Sequence, residues 1–384
     1  MINKFSPWPS FTKEESNIIQ KILLSNKVNY WTGTECREFE REFANWSESK
    51  YAVSLSNGTV ALDVALKALD ISEGDEVIVT PRSYIASVSS IVNSNATPIF
   101  ADIDLDTQNI THKSISTVIT NRTKAILCVH LAGWPCDMDE IMILANKHNL
   151  YVIEDCSQAH GAKYKGKSVG SLGHIGCWSF CQDKIMTTGG EGGMVTTNYK
   201  AFWKKMWEYK DHGKSYEALY ERGHSQGFKW LHDSFGTNGR MTEMQAGIGR
   251  IQLKRMQDWH KKRLSNANTI WNAARKCKVL RVPKIPSYID HAAYKCYVFV
   301  NGNSSLRDKI IQLINDKGVP CYSGSCSEIY LEKAFDNSDF KPKERLKNAK
   351  ELGETSLMFL VHPTLTNKEI QKTCEAISEV CLSI

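Results

Sequence analysis

Between about residues 50 and 200 the chain alternates short apolar runs with helix-length amphipathic segments, and that rhythm leaves few folds open. The apolar runs fall at 51–54, 76–80, 97–102, 124–130, 151–154 and 176–180, with a seventh at 193–197. Helical patterns lie among them at 59–69, 85–93, 138–148 and 201–209. Strands joined by helices predict an α/β domain built on a largely parallel sheet, because a parallel neighbour needs a crossover connection. Asp137 stands ahead of the 138–148 pattern as its N-cap, with acids in the first turn.

A longer helical pattern runs from 240 to about 276, broken once at most, with Met244, Ile248, Ile251 and Met256 near helical spacing. Residues 279–286 read as a connection. A strand at 295–300, a helix at 306–317 and a last helix at 368–382 then predict a smaller α+β unit. At 384 residues the chain exceeds what one core usually supports, so two domains are expected. The division placed here is a large domain over 1–255 and a small C-terminal domain over 256–384, the change falling within 250–280. The first helix, 14–25, is open to pack on either.

Composition narrows the function. Hydrophobic content of 42% and charged content of 23% are those of a soluble globular protein. A net charge of +6, spread along the chain, does not point to nucleic acid. The basic stretch of Lys254, Arg255, Lys261, Lys262 and Arg263 reads as a solvated helix face with one packed Trp259. The first ten residues lack the apolar core of a leader, and no run approaches the roughly 20 residues that cross a bilayer. Twelve cysteines without a Cys-x-x-Cys pair suggest free, mostly buried thiols in a reducing cytoplasm, and no metal site is expected.

Three features carry chemistry. Asn57-Gly58-Thr59 joins a strand to a helix, so unpaired N–H groups meet the positive end of the helix dipole, where a phosphate binds. Asp155 ends a buried strand, the place where ligands of open α/β sheets collect. Lys184 leaves the 176–180 strand just ahead of the cluster Gly189-Gly-Glu-Gly-Gly193. Each has an ordinary reading: a capped turn, a loop salt bridge, a surface lysine. Together they can hold pyridoxal 5′-phosphate, with an amine for the aldehyde, an anion for the ring nitrogen and N–H groups for the phosphate. Gln158 can reach the ring oxygen, Ser179 the phosphate, and Tyr84 can stack on the ring. His160 reads as structural. Asp155, Ser157 and His160 include triad residue types, but one short loop does not give triad geometry.

These pieces resemble the DegT/DnrJ/EryC1/StrS family of sugar aminotransferases, within the fold-type I aminotransferases. The matching blocks are Asn57-Gly-Thr-Val-Ala-Leu62, Gly74-Asp-Glu-Val-Ile78, Val129-His-Leu-Ala-Gly133 with Asp137-Met-Asp139, Glu154-Asp-Cys-Ser-Gln-Ala-His-Gly161, Gly170-Ser-Leu-Gly173, Ser179-Phe180 with Lys184, Gly189 to Gly193, and Gly236-Thr-Asn-Gly-Arg-Met-Thr-Glu-Met-Gln-Ala246.

The resemblance implies a large domain with a mostly parallel seven-stranded sheet and a smaller α+β domain. It implies that Lys184 bonds the cofactor and shuttles protons, and that Asp155 and Gln158 hold the ring nitrogen and oxygen. It makes Gly58, Thr59 and Ser179 phosphate ligands and Tyr84 the stacking aromatic. Asn238 matches an asparagine that reaches the neighbouring subunit's cofactor, so a homodimer with shared active sites is implied. The implied reaction moves an amino group from L-glutamate to a nucleotide-linked ketosugar, for amino-sugar and surface-polysaccharide synthesis.

Lysine rather than histidine at 184 disfavours the dehydratases of the family. The form Thr187-Thr-Gly-Gly-Glu-Gly-Gly193 favours members acting at C4 over those acting at C3. The segment Gly318-Val-Pro-Cys-Tyr-Ser-Gly-Ser-Cys-Ser-Glu-Ile329 departs from the Tyr-Pro…His pattern of many members, which leaves a C3-keto sugar or a small phosphorylated ketone as alternative acceptors. A reading of another class is a regulatory or sensing protein that binds the cofactor without turnover; the intact set of Lys184, Asp155 and Gln158 weighs against it.

Overall fold

The computed structural model describes residues 5–223 and 230–384; residues 1–4, the start of the stretch read for a leader, lie outside them. Helices α1 (Lys13–Leu24) and α2 (Glu35–Trp46) precede the first strand, β1 (Tyr51–Leu55). The chain continues through α3 (Gly58–Ala68), β2 (Glu76–Val79), α4 (Ala86–Asn93), β3 (Thr97–Phe100), α5 (His112–Ser116), β4 (Thr123–Val129), α6 (Met138–Lys147) and β5 (Tyr151–Asp155). Two short strands, β6 (Lys163–Tyr164) and β7 (Lys167–Ser168), lead to β8 (Ile175–Ser179) and β9 (Gly193–Thr197). Helices α7 (Lys200–Lys210) and α8 (Tyr216–Tyr220) follow.

Seven strands form one sheet in the order β1-β9-β8-β5-β4-β2-β3. Neighbours are parallel except at β9, which runs antiparallel to both β1 and β8. All seven were expected from the apolar runs. Val77, Ile78, Ile126, Leu127, Val152 and Ile153 are wholly buried, which is why these strands read as unbroken apolar runs rather than alternating ones. Because β9 reverses twice, β1, β2, β4, β5 and β8 all end at one edge of the sheet. The residues that follow those ends are the ones the sequence marked for chemistry.

Helix α9 (Glu243–Ala274) opens with a capping box of Thr242 and Gln245 and runs unbroken for 32 residues, roughly 48 Å at the usual rise. The break allowed for in the sequence does not occur: Gly247 and Gly249 face Ile22 of α1 and Phe39 of α2, whose close packing holds those turns. Beyond it lie β10 (Leu280–Arg281), β11 (Ile289–Asp290), β12 (Cys296–Val300), α10 (Ser304–Asp316), β13 (Cys321–Tyr322), α11 (Lys347–Thr355), β14 (Ser356–Phe359) and α12 (Asn367–Ser383). A second, antiparallel sheet has the order β10-β12-β14-β13. Its strand β10 lies within the stretch expected to be a plain connection, and β13 and β14 were not anticipated.

Helix α9 lies against α1 and α2 at its start and against α12 and β12 of the second sheet later. So α1 packs on the first part of α9, while Ser6 just before it hydrogen-bonds to Glu369 in the first turn of α12. Asp137 precedes α6 but caps no N–H; its carboxylate accepts the Tyr164 hydroxyl instead. The basic stretch is a solvated face only in part, at Lys254 and Lys261. Arg255 pairs with Glu15 at 2.6 Å, and Arg263 is buried. All twelve cysteines are free. Among the described residues no helix is long and apolar enough to cross a membrane.

Candidate active site

The carboxyl edge of the large sheet forms one wall of a cleft of about 1220 Å³. Gly58, Thr59, Tyr84, Asp155, Gln158, Ser179 and Lys184 all line it. Asn238 does not; it is exposed, in a bridge with Asp211.

At one end of the cleft, Asn57 caps α3 by accepting the Val60 N–H at 2.9 Å. The N–H groups of Gly58 and Thr59 have no acceptor within their own helix. A Cβ on Gly58 would lie 2.5 Å from that of Ser179, so only glycine lets this turn sit against β8. Free N–H groups, the Ser179 hydroxyl and the dipole of α3 offer what a dianionic phosphate would need there.

Asp155 is 5% exposed and receives two neutral donors, the Ser87 hydroxyl at 2.9 Å and the Ser157 N–H at 3.0 Å. Ser83 shares a hydroxyl contact with Ser87 at 2.9 Å. No cation among the described residues lies within ion-pair distance of Asp155. A buried carboxylate with only neutral partners is electrostatically incomplete, and a protonated ring nitrogen in the cleft would complete it.

Gln158 is fixed by its oxygen, which accepts the Ala132 N–H at 2.9 Å, leaving its NH2 group to donate. Ala132 holds that N–H in place with φ 56°, a conformation strained for alanine. Lys184 lies between, its carbonyl held by the Trp8 indole N–H at 2.8 Å and its amine 5.5 Å from the centre of the Tyr294 ring. The loop beyond it is tied to α9 through Thr187 N–H and Gln252 Oε1, at 2.9 Å. Tyr84 stands at the rim, 70% exposed. The set fits pyridoxal 5′-phosphate by the chemistry of its donors and acceptors.

A family model for the DegT/DnrJ/EryC1/StrS aminotransferases matches residues 9–378. The chain belongs to that family. It is accordingly an aminotransferase. It is 37% identical over 380 residues to a GDP-perosamine synthase of Escherichia coli O157:H7, covering 97% of this chain and 96% of the relative. It is 32% identical to a dTDP-3-amino-3,6-dideoxy-alpha-D-galactopyranose transaminase of Aneurinibacillus thermoaerophilus, covering 96% and 95%. Among solved structures, an aminotransferase from Psychrobacter cryohalolentis is 64% identical, with a TM-score of 0.97 over 99% of this chain and all of that one.

Other residues marked in the sequence fall outside this chemistry. His160 is wholly buried against Trp178 and Phe180, with neither ring nitrogen bonded to a described residue, and burial pushes it down to about 3. Among the described residues no hydrogen bond joins it to Ser157. His130, Glu154 and Cys156 come together in the fold though their spacing gave no sign of it. The Glu154 carboxylate is already occupied, by the N–H groups of Gly170, Leu172 and Gly173 and by His130, so this cluster reads as a structural knot.

The opposite wall of the cleft was largely missed. Tyr294, Lys295 and Tyr297 reach it from β12 and the segment before it, Tyr322 from β13, and Ser323, Gly324, Ser325, Cys326 and Glu332 from the residues after β13. Tyr322 to Cys326 belong to the segment 318–329 that departs from the family pattern. Tyr294 is placed by its N–H, which bonds the Ala132 carbonyl at 3.0 Å, a pairing no sequence period reveals.

Proposed function

We propose that the protein is a pyridoxal 5′-phosphate-dependent aminotransferase that moves an amino group from L-glutamate to a nucleotide-linked keto-deoxysugar, at C4. The observation that carries this is the convergence of Lys184, Asp155, Gln158 and the N-terminus of α3 on one cleft. Bound cofactor supplies an aldehyde that takes up the amino group and a ring that draws off the electron pair left by a departing proton.

The rest falls to the chain. The N–H groups of Gly58 and Thr59, with the Ser179 hydroxyl, bind the phosphate. Asp155 holds the proton on the ring nitrogen, and the Gln158 NH2 group donates to the ring oxygen. Tyr84 covers the ring from the solvent side. The Lys184 amine takes the proton from the donor's α-carbon in one half-reaction and returns a proton to the acceptor carbon in the other, aided by proximity. Asn238, outside the cleft of its own chain, reaches the cofactor of a second copy, which makes the working unit a homodimer.

The relatives' names support a nucleotide-sugar acceptor. That of the Aneurinibacillus enzyme, a 3-amino sugar transaminase, favours a second reading in which the acceptor is a 3-keto sugar. Incubation with L-glutamate and a panel of nucleotide 3- and 4-ketosugars, with products read by NMR, decides between them. Amine at C4 supports the proposal, amine at C3 the second reading, and no amino sugar from any acceptor contradicts both.

A further inference from the structure

Behind the cleft lies a smaller chamber of about 300 Å³, lined by Phe5, Trp8, Arg263, Lys295, Val361 and His362 among others. It shares Asp183, Tyr294 and Lys295 with the cleft, so the two adjoin. Arg263 is 1% exposed. One of its N–H groups reaches the Tyr294 carbonyl at 3.3 Å, while Nε and Nη2 meet no hydrogen-bond partner among the described residues. The Trp8 ring stacks over the guanidinium at 4.9 Å. Lys295 likewise has no carboxylate within ion-pair distance among the described residues; its amine lies 4.7 Å from the centre of the Tyr294 ring. Among the described residues that line the chamber the one carboxylate is Asp183, which accepts the Tyr294 hydroxyl.

The charges do not balance. Arg263, Lys295 and Lys184 face a single Asp183. Burial above all, then neighbouring positive charge, pushes Lys295 down to about 8 and His362 to about 3, and burial pushes Arg263 down to about 9. A buried guanidinium with two idle donors is costly unless an anion completes it. A fork of parallel N–H groups suits a carboxylate. The chamber stands at the small end of ligand pockets, which suits a short acidic side chain and not a nucleoside diphosphate.

We infer that Arg263 and Lys295 form the subsite for a carboxylate of the amino donor, and so select a dicarboxylic amino acid. This rests on the amino-transfer reading above and names the groups that choose the donor.

The test uses cofactor-supplemented protein titrated calorimetrically with glutarate, a dicarboxylate without an amino group, and separately with UDP and GDP. Lys295→Met and Arg263→Gln should each weaken glutarate about tenfold or more, with Arg263→Lys recovering part of the loss, and leave the nucleotides' affinity unchanged. KM for L-glutamate should rise while that of the acceptor holds. Should Arg263→Gln not fold, Lys295→Met, a less buried position, carries the test alone. Unchanged glutarate affinity, or loss of nucleotide affinity in its place, overturns the assignment. If glutarate binding behaves as expected but no ketosugar is aminated, the subsite stands and the acceptor reading falls.

Discussion

Asp155 at the end of β5 and Arg263 in the second half of α9 are both buried charges in the site region, yet the chain treats them differently. Asp155 has two neutral hydrogen-bond donors and lacks only a cation. Arg263 has one carbonyl acceptor and two idle donors, and lacks an anion. Glu154, one residue from Asp155, is a third case: three backbone N–H groups and His130 satisfy it wholly from within the protein. A buried charge that the protein completes is structural. One that it leaves half complete waits for a ligand of opposite sign, and the missing sign tells which.

The contrast can be broken at Lys184, on which the proposed cofactor half depends. Lys184→Ala should cost about 10⁴-fold in amino transfer, the upper range for a positioned acid–base group; retention of a few per cent of kcat would contradict its role. Next comes Asp155→Asn, which keeps the shape and removes the charge. A loss of about 10²–10³ in kcat is expected, as for other removed electrostatic partners, with a shift in the absorbance of bound cofactor. An unchanged spectrum would mean that the carboxylate does not face the ring.

Glu154→Leu sharpens the comparison from the structural side. Three N–H groups lose their acceptor, so unfolding free energy should drop by about 3 kcal/mol or more, read by denaturant titration. A neutral outcome would show that Glu154 is not the knot described. On the Arg263 side, the pH dependence of glutarate binding is diagnostic. Lys295, faced by Asp183, Lys184, Arg263, Tyr294 and His362, is charged below about 8 and neutral above it. Affinity should therefore fall as pH rises through about 8, by roughly tenfold if one hydrogen bond to a charged group is lost. In Lys295→Arg that step should vanish. The smallest effect is expected from Asn57→Ala, about 1 kcal/mol of stability for the lost cap, with cofactor affinity lowered alongside.

That Asp155, the turn before α3 and Lys184 meet at one cleft was legible because their signals are local. A strand ending in Asp155, a glycine turn before α3 and a lysine before a glycine cluster each sit within a few residues of sequence, and the parallel sheet brings their strand ends to one edge. The opposite wall had no such signal. Tyr294 and Lys295 enter the cleft because Ala292 and Tyr294 pair with Gly133 and Ala132, a contact between residues farther apart in sequence than the two ends of the large sheet. Arg263 was hidden by composition: beside Lys261 and Lys262 it reads as surface. The signal that would have found it is its position, since Met256, Arg263 and Ile270 repeat at seven-residue spacing along one buried stripe of α9. The short strands β10, β13 and β14 were missed because two to four residues carry too little periodicity.

The account rests on one amine. Protein supplemented with pyridoxal 5′-phosphate, reduced with borohydride, digested and mapped by mass spectrometry should carry the pyridoxyl group on Lys184. A label on Lys295 in its place, or no label on either lysine, would contradict the account at its centre.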